Sequence, residues 1–299
     1  MADSPLLPRK RPAKCLKGLP IHPPEIQFYI DDNSTEYDEA FSEIDEYRGS
    51  LYIYGKHITD VSTLCNIENV SIDNCNITDV SALYNCTFLT LHKCDDIIDV
   101  SMLNTVKYLS IEKCKNITDV SALGTVKYLD ITNCKNVTDV SALGTVEDLT
   151  LYECKNIRDV SMLGTVKKLH ICDCEGIADV SMLGTVEKLY IFACENITDV
   201  SMLGSVKKLT ISWCKGITDV SMLGTVKKLK LHQCNGITDV SALGTVKKLA
   251  ILCCDNITDV SALGTVEKLK IHYCAGVTDI SMLDSVGEFD YKVDSQLSE

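Results

Sequence analysis

The sequence predicts a solenoid of about twelve short coils, each giving one strand to a parallel β-sheet on one side and returning through tight turns on the other. Three observations lead there. A block of twenty residues, such as Val120-Ser-Ala-Leu-Gly-Thr-Val-Lys-Tyr-Leu-Asp-Ile-Thr-Asn-Cys-Lys-Asn-Val-Thr-Asp139, recurs in register from residue 100 to residue 283, and so short a fixed period means stacked coils. Each block holds a Leu-x-Ile pair, the alternation of a strand with one buried face. The remaining apolar positions, Cys134, Val137, Val140, Leu143 and Val146 in that unit, are irregularly spaced and leave no room for a long helix.

In chain order, residues 1–24 form a basic tail, with Arg9, Lys10, Arg11, Lys14 and Lys17 among six prolines. Such a segment builds neither a helix nor a core. Residues 25–49 read as an N-terminal cap that closes the open end of the stack. Ile26, Phe28 and Ile30 alternate like a strand, and Tyr37, Ala40 or Phe41, Ile44 and Tyr47 fall at helical spacing, predicting an amphipathic helix over 34–47. The repeat domain covers 50–299, with strands at Leu51, Val70, Leu89 and Leu109, then every twenty residues to Leu269, and a divergent last strand at Phe289 and Tyr291. Twelve strand spacings give a stack of about 58 Å.

Column by column, the repeat explains most of the composition. Of 42 acids, twelve form one column from Asp60 and Asp79 to Asp279, and eight more lie between Asp31 and Glu46, so the rest of a chain of net charge −13 is positive. An aspartate just before Val-Ser-Ala-Leu-Gly suits a cap that accepts the first free N–H groups of the return turn, and its spacing is not that of a Gly- and Asp-rich calcium nonapeptide. Eleven of 16 cysteines share one position, Cys75 to Cys274, with no histidine column to complete a metal site; buried, reduced thiols are the expected state. The second residue after each cysteine is Asn, Asp or Gly (Asn136, Gly176, Asn196), the types that tolerate positive φ, and a left-handed residue is expected there. A glycine column, Gly124 to Gly264, marks a turn or the end of a short 3₁₀ segment.

The run Val126-x-x-Leu129-x-Ile131-x-x-Cys134 resembles the leucine-rich repeat family, over residues 50–291 and in twelve registered copies. Ile-Thr-Asp-Val-Ser-Ala-Leu is similar to the corresponding stretch of internalin repeats, and the cysteine to the cysteine-containing subclass. The resemblance implies a leucine-rich repeat solenoid of modest curvature, with the parallel sheet on its concave side as the face that partners usually bind. It implies a binding module without catalysis or cofactor.

Comparing copies with one another separates scaffold from surface. The positions flanking the Leu-x-Ile pair vary while the rest stays fixed. In the first half they are Tyr52, Tyr54, Phe88, Tyr108, Glu112, Tyr128, Asp130, Asp148 and Tyr152; in the second half Lys168, Lys188, Lys208, Lys228, Lys248 and Lys268 form a stripe. Beside it stand Tyr190, Phe192, Trp213, His232, Leu252 and Tyr273. A lysine stripe raises the local potential and favours an acidic partner, and aromatics within it are typical interaction anchors. The expected site is therefore Lys188, Tyr190, Phe192, Lys208, Trp213, Lys228, His232, Lys248, Lys268 and Tyr273. Lysines that merely keep the sheet soluble are the plainer explanation of the same stripe. The alternative function is nucleic-acid or other polyanion binding through the stripe and the basic tail, against which stands a pI near 4.9. No phosphate loop, metal cluster or nucleophile-base arrangement points to an enzyme; His170 and Cys172 lie along one strand and are expected at the surface. No segment has the length or apolarity of a signal peptide or a membrane span, so the expected protein is a cytoplasmic monomer, with Arg9-Lys-Arg-Pro12 a possible nuclear-import signal.

Overall fold

In the computed structural model, residues 28–30 and 50–293 of the 299 are described. The expected helix over 34–47, the tail 1–24 and most of the cap lie outside the described residues. A single sheet of 14 parallel strands runs in sequence order: β1 (Phe28–Ile30), β2 (Ser50–Tyr54), β3 (Asn69–Asp73), β4 (Phe88–His92), β5 (Tyr108–Glu112), β6 (Tyr128–Thr132), β7 (Asp148–Tyr152), β8 (Lys168–Cys172), β9 (Lys188–Phe192), β10 (Lys208–Ser212), β11 (Lys228–His232), β12 (Lys248–Leu252), β13 (Lys268–His272) and β14 (Glu288–Lys292). Each strand pairs in register with the same positions of the next, as Leu129↔Leu149 and Ile131↔Leu151. The alternation at Phe28 and Ile30 does add a strand, with Phe28↔Leu51 and Ile30↔Ile53.

The inward Leu, Ile and Val of β2 to β13 are buried, and they meet the Cys, Val and Leu of the return side in one continuous core. The return is a 3₁₀ segment such as Ser141–Thr145, closed by Leu143 N–H to Val140 O (3.0 Å) and Val146 N–H to Leu143 O (3.1 Å). Gly144 sits inside that segment because a Cβ there would meet the Met162 carbonyl at 2.5 Å. Thr145 Oγ1 donates to Gly124 O at 2.6 Å, tying each coil to the one before.

The left-handed residue falls elsewhere than the sequence suggested. It is the first residue after each of β3 to β13, such as Lys113 (φ 57°), Asn133 (φ 51°), Glu153 (φ 53°) or Trp213 (φ 61°), one position before the cysteine. Side-chain type does not select this conformation. The sheet imposes it, since the N–H of that residue continues the ladder, as Asn133 N–H does to Tyr152 O at 2.7 Å. The Asn/Gly column instead serves coil contact. Asn136 Nδ2 donates to Lys115 O at 2.7 Å, while at Gly176 a Cβ would lie 2.3 Å from Ile157 O.

The aspartates are caps, as expected. Asp159 Oδ1 accepts the N–H of Ser161 at 2.8 Å, and the same bond recurs from Asp60 to Asp279. That backbone N–H, with the serine hydroxyl, holds the Asp159 carboxyl below its usual range. A depressed folded-state pKa contributes stability that is present above the unfolded value of 3.8 and is lost as pH falls through the folded value. Asp159→Ala/Asp179→Ala is therefore expected to melt lower than wild type at pH 7, with the difference shrinking in acid below that window and no response to calcium. A calcium-dependent rise in melting temperature abolished by these substitutions would overturn the capping role.

The cysteines form a buried stack in which most thiols point at two carbonyls; Cys154 Sγ lies 3.3 Å from Ile131 O and 3.5 Å from Tyr152 O. No disulfide joins the described cysteines. Burial pushes the Cys154 thiol up to about 12, so little thiolate exists at neutral pH. In the native protein, iodoacetamide is expected to label the half-buried Cys65 and Cys253 and to reach Cys134 and Cys154 only after denaturation, as read by mass spectrometry. Equal labelling of all of them would contradict the burial.

Candidate protein-binding face

Strand geometry sends alternate side chains to the solvent side of the sheet, and the in-register stack turns each outward position into a column about 4.8 Å in pitch. The column at the strand start runs Phe88, Tyr108, Tyr128, Asp148, Lys168, Lys188, Lys208, Lys228, Lys248, Lys268 and Glu288. Its first part is an aromatic ladder, with Phe88 on Tyr108 and Tyr108 on Tyr128 both stacked at 4.3 Å between ring centroids. Lys107 and Lys127 lie over the Tyr108 and Tyr128 rings. The sequence marks this half as tyrosine-rich; the pairing register is what makes it a stack.

The lysine stripe is shorter than the sequence implied. Lys168 Nζ pairs with Asp148 at 2.8 Å, and Lys268 pairs with Glu288 of the closing strand. Lys270 adds a second end pair with Asp290 at 2.9 Å. Both ends of the column are thus neutralised, because the strand before β8 and the strand after β13 carry carboxylates in register. Between them, Lys188, Lys208, Lys228 and Lys248 form no ion pair among the described residues. Their electrostatic field is reinforced by Lys207, Lys227 and Lys247 one residue upstream, a neighbouring column the sequence reading passed over. In that column Lys207 leans toward Glu187 at 3.9 Å.

Tyr190 is half-buried, stacked on His170 at 4.3 Å and covered on its other side by Lys208 Nζ 5.6 Å from the ring. Phe192 lies in register between Cys172 and Ser212. Trp213 is 41% exposed at the strand end, and its ring meets His232 edge-on at 6.4 Å. Tyr273, likewise exposed, stands against His272 two coils beyond Gln233. The expected residues therefore divide into a group on β9–β12 and the more distant Tyr273 and Lys268.

Five side chains expected at the surface are buried, among them Asp130 and Asp148, which are 3% and 1% exposed. His170 is 4% exposed, beneath the stacked ring of Tyr190, and burial lowers it to about 4, so it is neutral at physiological pH. Cys172 and His232 are likewise enclosed. Large neighbours on adjacent strands, only one strand spacing away, cover small or flat outward residues. No group of three or more His, Cys, Asp or Glu among the described residues could hold a metal ion. Nor is any described helix long and apolar enough to cross a membrane.

A parallel sheet backed by 3₁₀ returns, with Leu-x-Ile strands and a stacked cysteine in every regular coil, defines a leucine-rich repeat solenoid with internalin-like repeats. Comparison with solved structures agrees: an internalin, InlF, from Listeria monocytogenes is 26% identical with a TM-score of 0.56, over 81% of this chain and 79% of that one. The functional domain of InlJ from Listeria monocytogenes, described as including a cysteine ladder, is 21% identical with a TM-score of 0.49, over 79% of this chain and 59% of its own. The leucine-rich repeat domain of the type III effector XopL aligns over 86% and 81% of the two chains at 14% identity and a TM-score of 0.29. No family model and no curated protein matches the sequence.

Proposed function

We propose that this protein is a non-enzymatic scaffold whose outward sheet face over β9–β12 binds an acidic protein segment. Trp213 carries the proposal. A bulky aromatic held at φ 61° is in a region costly for non-glycine residues, and 41% exposure returns little burial for it. Ala193 and Gln233 fill the same position in adjoining coils, so the backbone does not require tryptophan there. Around it, Lys188, Lys208, Lys228 and Lys248 supply a field without carboxylate partners among the described residues, and Tyr190 and Phe192 supply half-buried aromatic surface. In this arrangement the lysines steer encounter, while Trp213 and Tyr190 set the lifetime of the complex. The internalin-like architecture is the supporting analogy of fold.

Lys208→Glu/Lys228→Glu/Trp213→Ala tests this. Affinity capture from the native cell with wild type and variant is expected to recover an acidic protein with wild type alone, binding the variant about 30-fold or more weakly, as loss of a hot spot near 2 kcal/mol implies. Circular dichroism checks that the variant is folded. Salt-sensitive recovery of nucleic acid in place of protein, or full retention of partners by the variant, would overturn the assignment.

A further inference from the structure

The side of the solenoid away from the sheet carries an apolar stripe with no structural need behind it. Met162, Met182, Met202 and Met222 occupy one position of four successive coils, each 61–62% exposed. Other coils place alanine there, at Ala142 and Ala242, with the same 3₁₀ geometry. The return geometry does not require a long thioether at four consecutive coils, and such side chains suit adaptable contact surfaces.

Beside the stripe, successive coils leave grooves. One, of about 350 Å³, lies between Asp139 and Asp159 and is walled by Met162. Two coils further on an equivalent groove of about 430 Å³ lies between Asp179 and Asp199, walled by Met202. Each offers an apolar wall for an alkyl stem and two carboxylates for its cationic end, the combination that a lysine or arginine side chain fits. The serine N–H occupies one oxygen of each cap, and an ionised carboxylate accepts more than that bond.

Equivalent grooves two coils apart are about 9.6 Å apart at the strand spacing. A polyproline II segment repeats its side chains every three residues, about 9.3 Å. Within this chain Arg11, Lys14 and Lys17 stand three apart, outside the described residues, with Pro12 the one proline between them. Lys17 precedes Phe28, the first residue of β1, by eleven positions, a reach of at most about 40 Å. The coil of Asp139 follows β6, five strands from β1 and so about 24 Å along the axis. Both the reach and the period fit.

We infer that the methionine grooves of the return side are the docking site of the chain's own basic segment, residues 11–17, with Lys17 in the groove of Asp139 and Asp159 and Lys14 in that of Asp179 and Asp199. The surface is separate from the sheet face, so the inference stands or falls independently of the proposed partner site. Its test is zero-length carbodiimide cross-linking of the full chain at low micromolar concentration, read by mass spectrometry of the monomer band. Lys14 and Lys17 are expected to link to carboxylates between Asp139 and Asp199, with the yield cut several-fold by 0.5 M salt and by Met162→Ser/Met202→Ser, which touches no buried group. Links found only in dimers, links to exposed sheet-face carboxylates such as Glu288, a yield indifferent to the methionine substitutions, or no link at all would each overturn it.

Discussion

Leu163→Ala is expected to destabilise the array by about 2–5 kcal/mol, the cost of emptying a fully buried leucine site. Leu163 is 0% exposed in the 3₁₀ return Ser161–Thr165, where its N–H also closes the turn on Val160 O. Its setting places the cost high in that range. A coil contacts only its neighbours, so a void in a central coil weakens two interfaces at once, and no distant element can relax into it. Urea unfolding followed by circular dichroism measures the change. A shift below about 1 kcal/mol would show that the neighbouring returns collapse onto the cavity.

Gly144→Ala is expected to cost about 1–3 kcal/mol or more, as overpacking against backbone does. The added methyl would sit 2.5 Å from the Met162 carbonyl, an atom with no rotamer to move, and 3.1 Å from Thr165 Oγ1. The first coils show what relief looks like. Tyr84 and Asn104 carry a Cβ at this position and still receive the hydroxyl of the following coil, Thr105 to Tyr84 O at 2.5 Å and Thr125 to Asn104 O at 2.8 Å. Gly144 lies between coils that hold Gly124 and Gly164, so opening the gap there strains both neighbours. Gly287→Ala, where the nearest contact is Glu267 O at 3.0 Å at the open end of the stack, is the control and is expected to cost less. Equal losses at the two sites would sink the steric explanation.

What could be read in advance was whatever one coil decides within itself. Asp139 announces its role because the acceptor it supplies and the serine N–H it serves are two residues apart. Leu129 and Ile131 announce a strand because their spacing is the strand's own. The failures concern relations between coils. Asn136 has the residue type of a left-handed turn, yet its amide bridges to the previous coil, while Lys113 and Trp213 adopt the left-handed conformation that their types disfavour. Stacking fixes that backbone, and propensity yields to it. The lysine stripe misled for the same reason: Lys168 and Lys268 read as open until their partners, Asp148 and Glu288, are seen twenty residues away. The paired grooves of the return side belong to no single repeat, and no motif within one unit marks them.

The equal length of the coils carries a consequence for inheritance. Every contact that holds a coil, from Thr145 to Gly124 or from Asn133 to Tyr152, joins one position to the same neighbouring position in the next unit. Excising any twenty consecutive residues from the regular region, such as 201–220, therefore leaves a chain whose cut ends meet at equivalent points and whose caps are untouched. Its expected product is a folded solenoid one strand shorter. A gene built this way can change length by unequal recombination without passing through an unfolded intermediate. Natural selection is then free to set how many side chains each outward column displays.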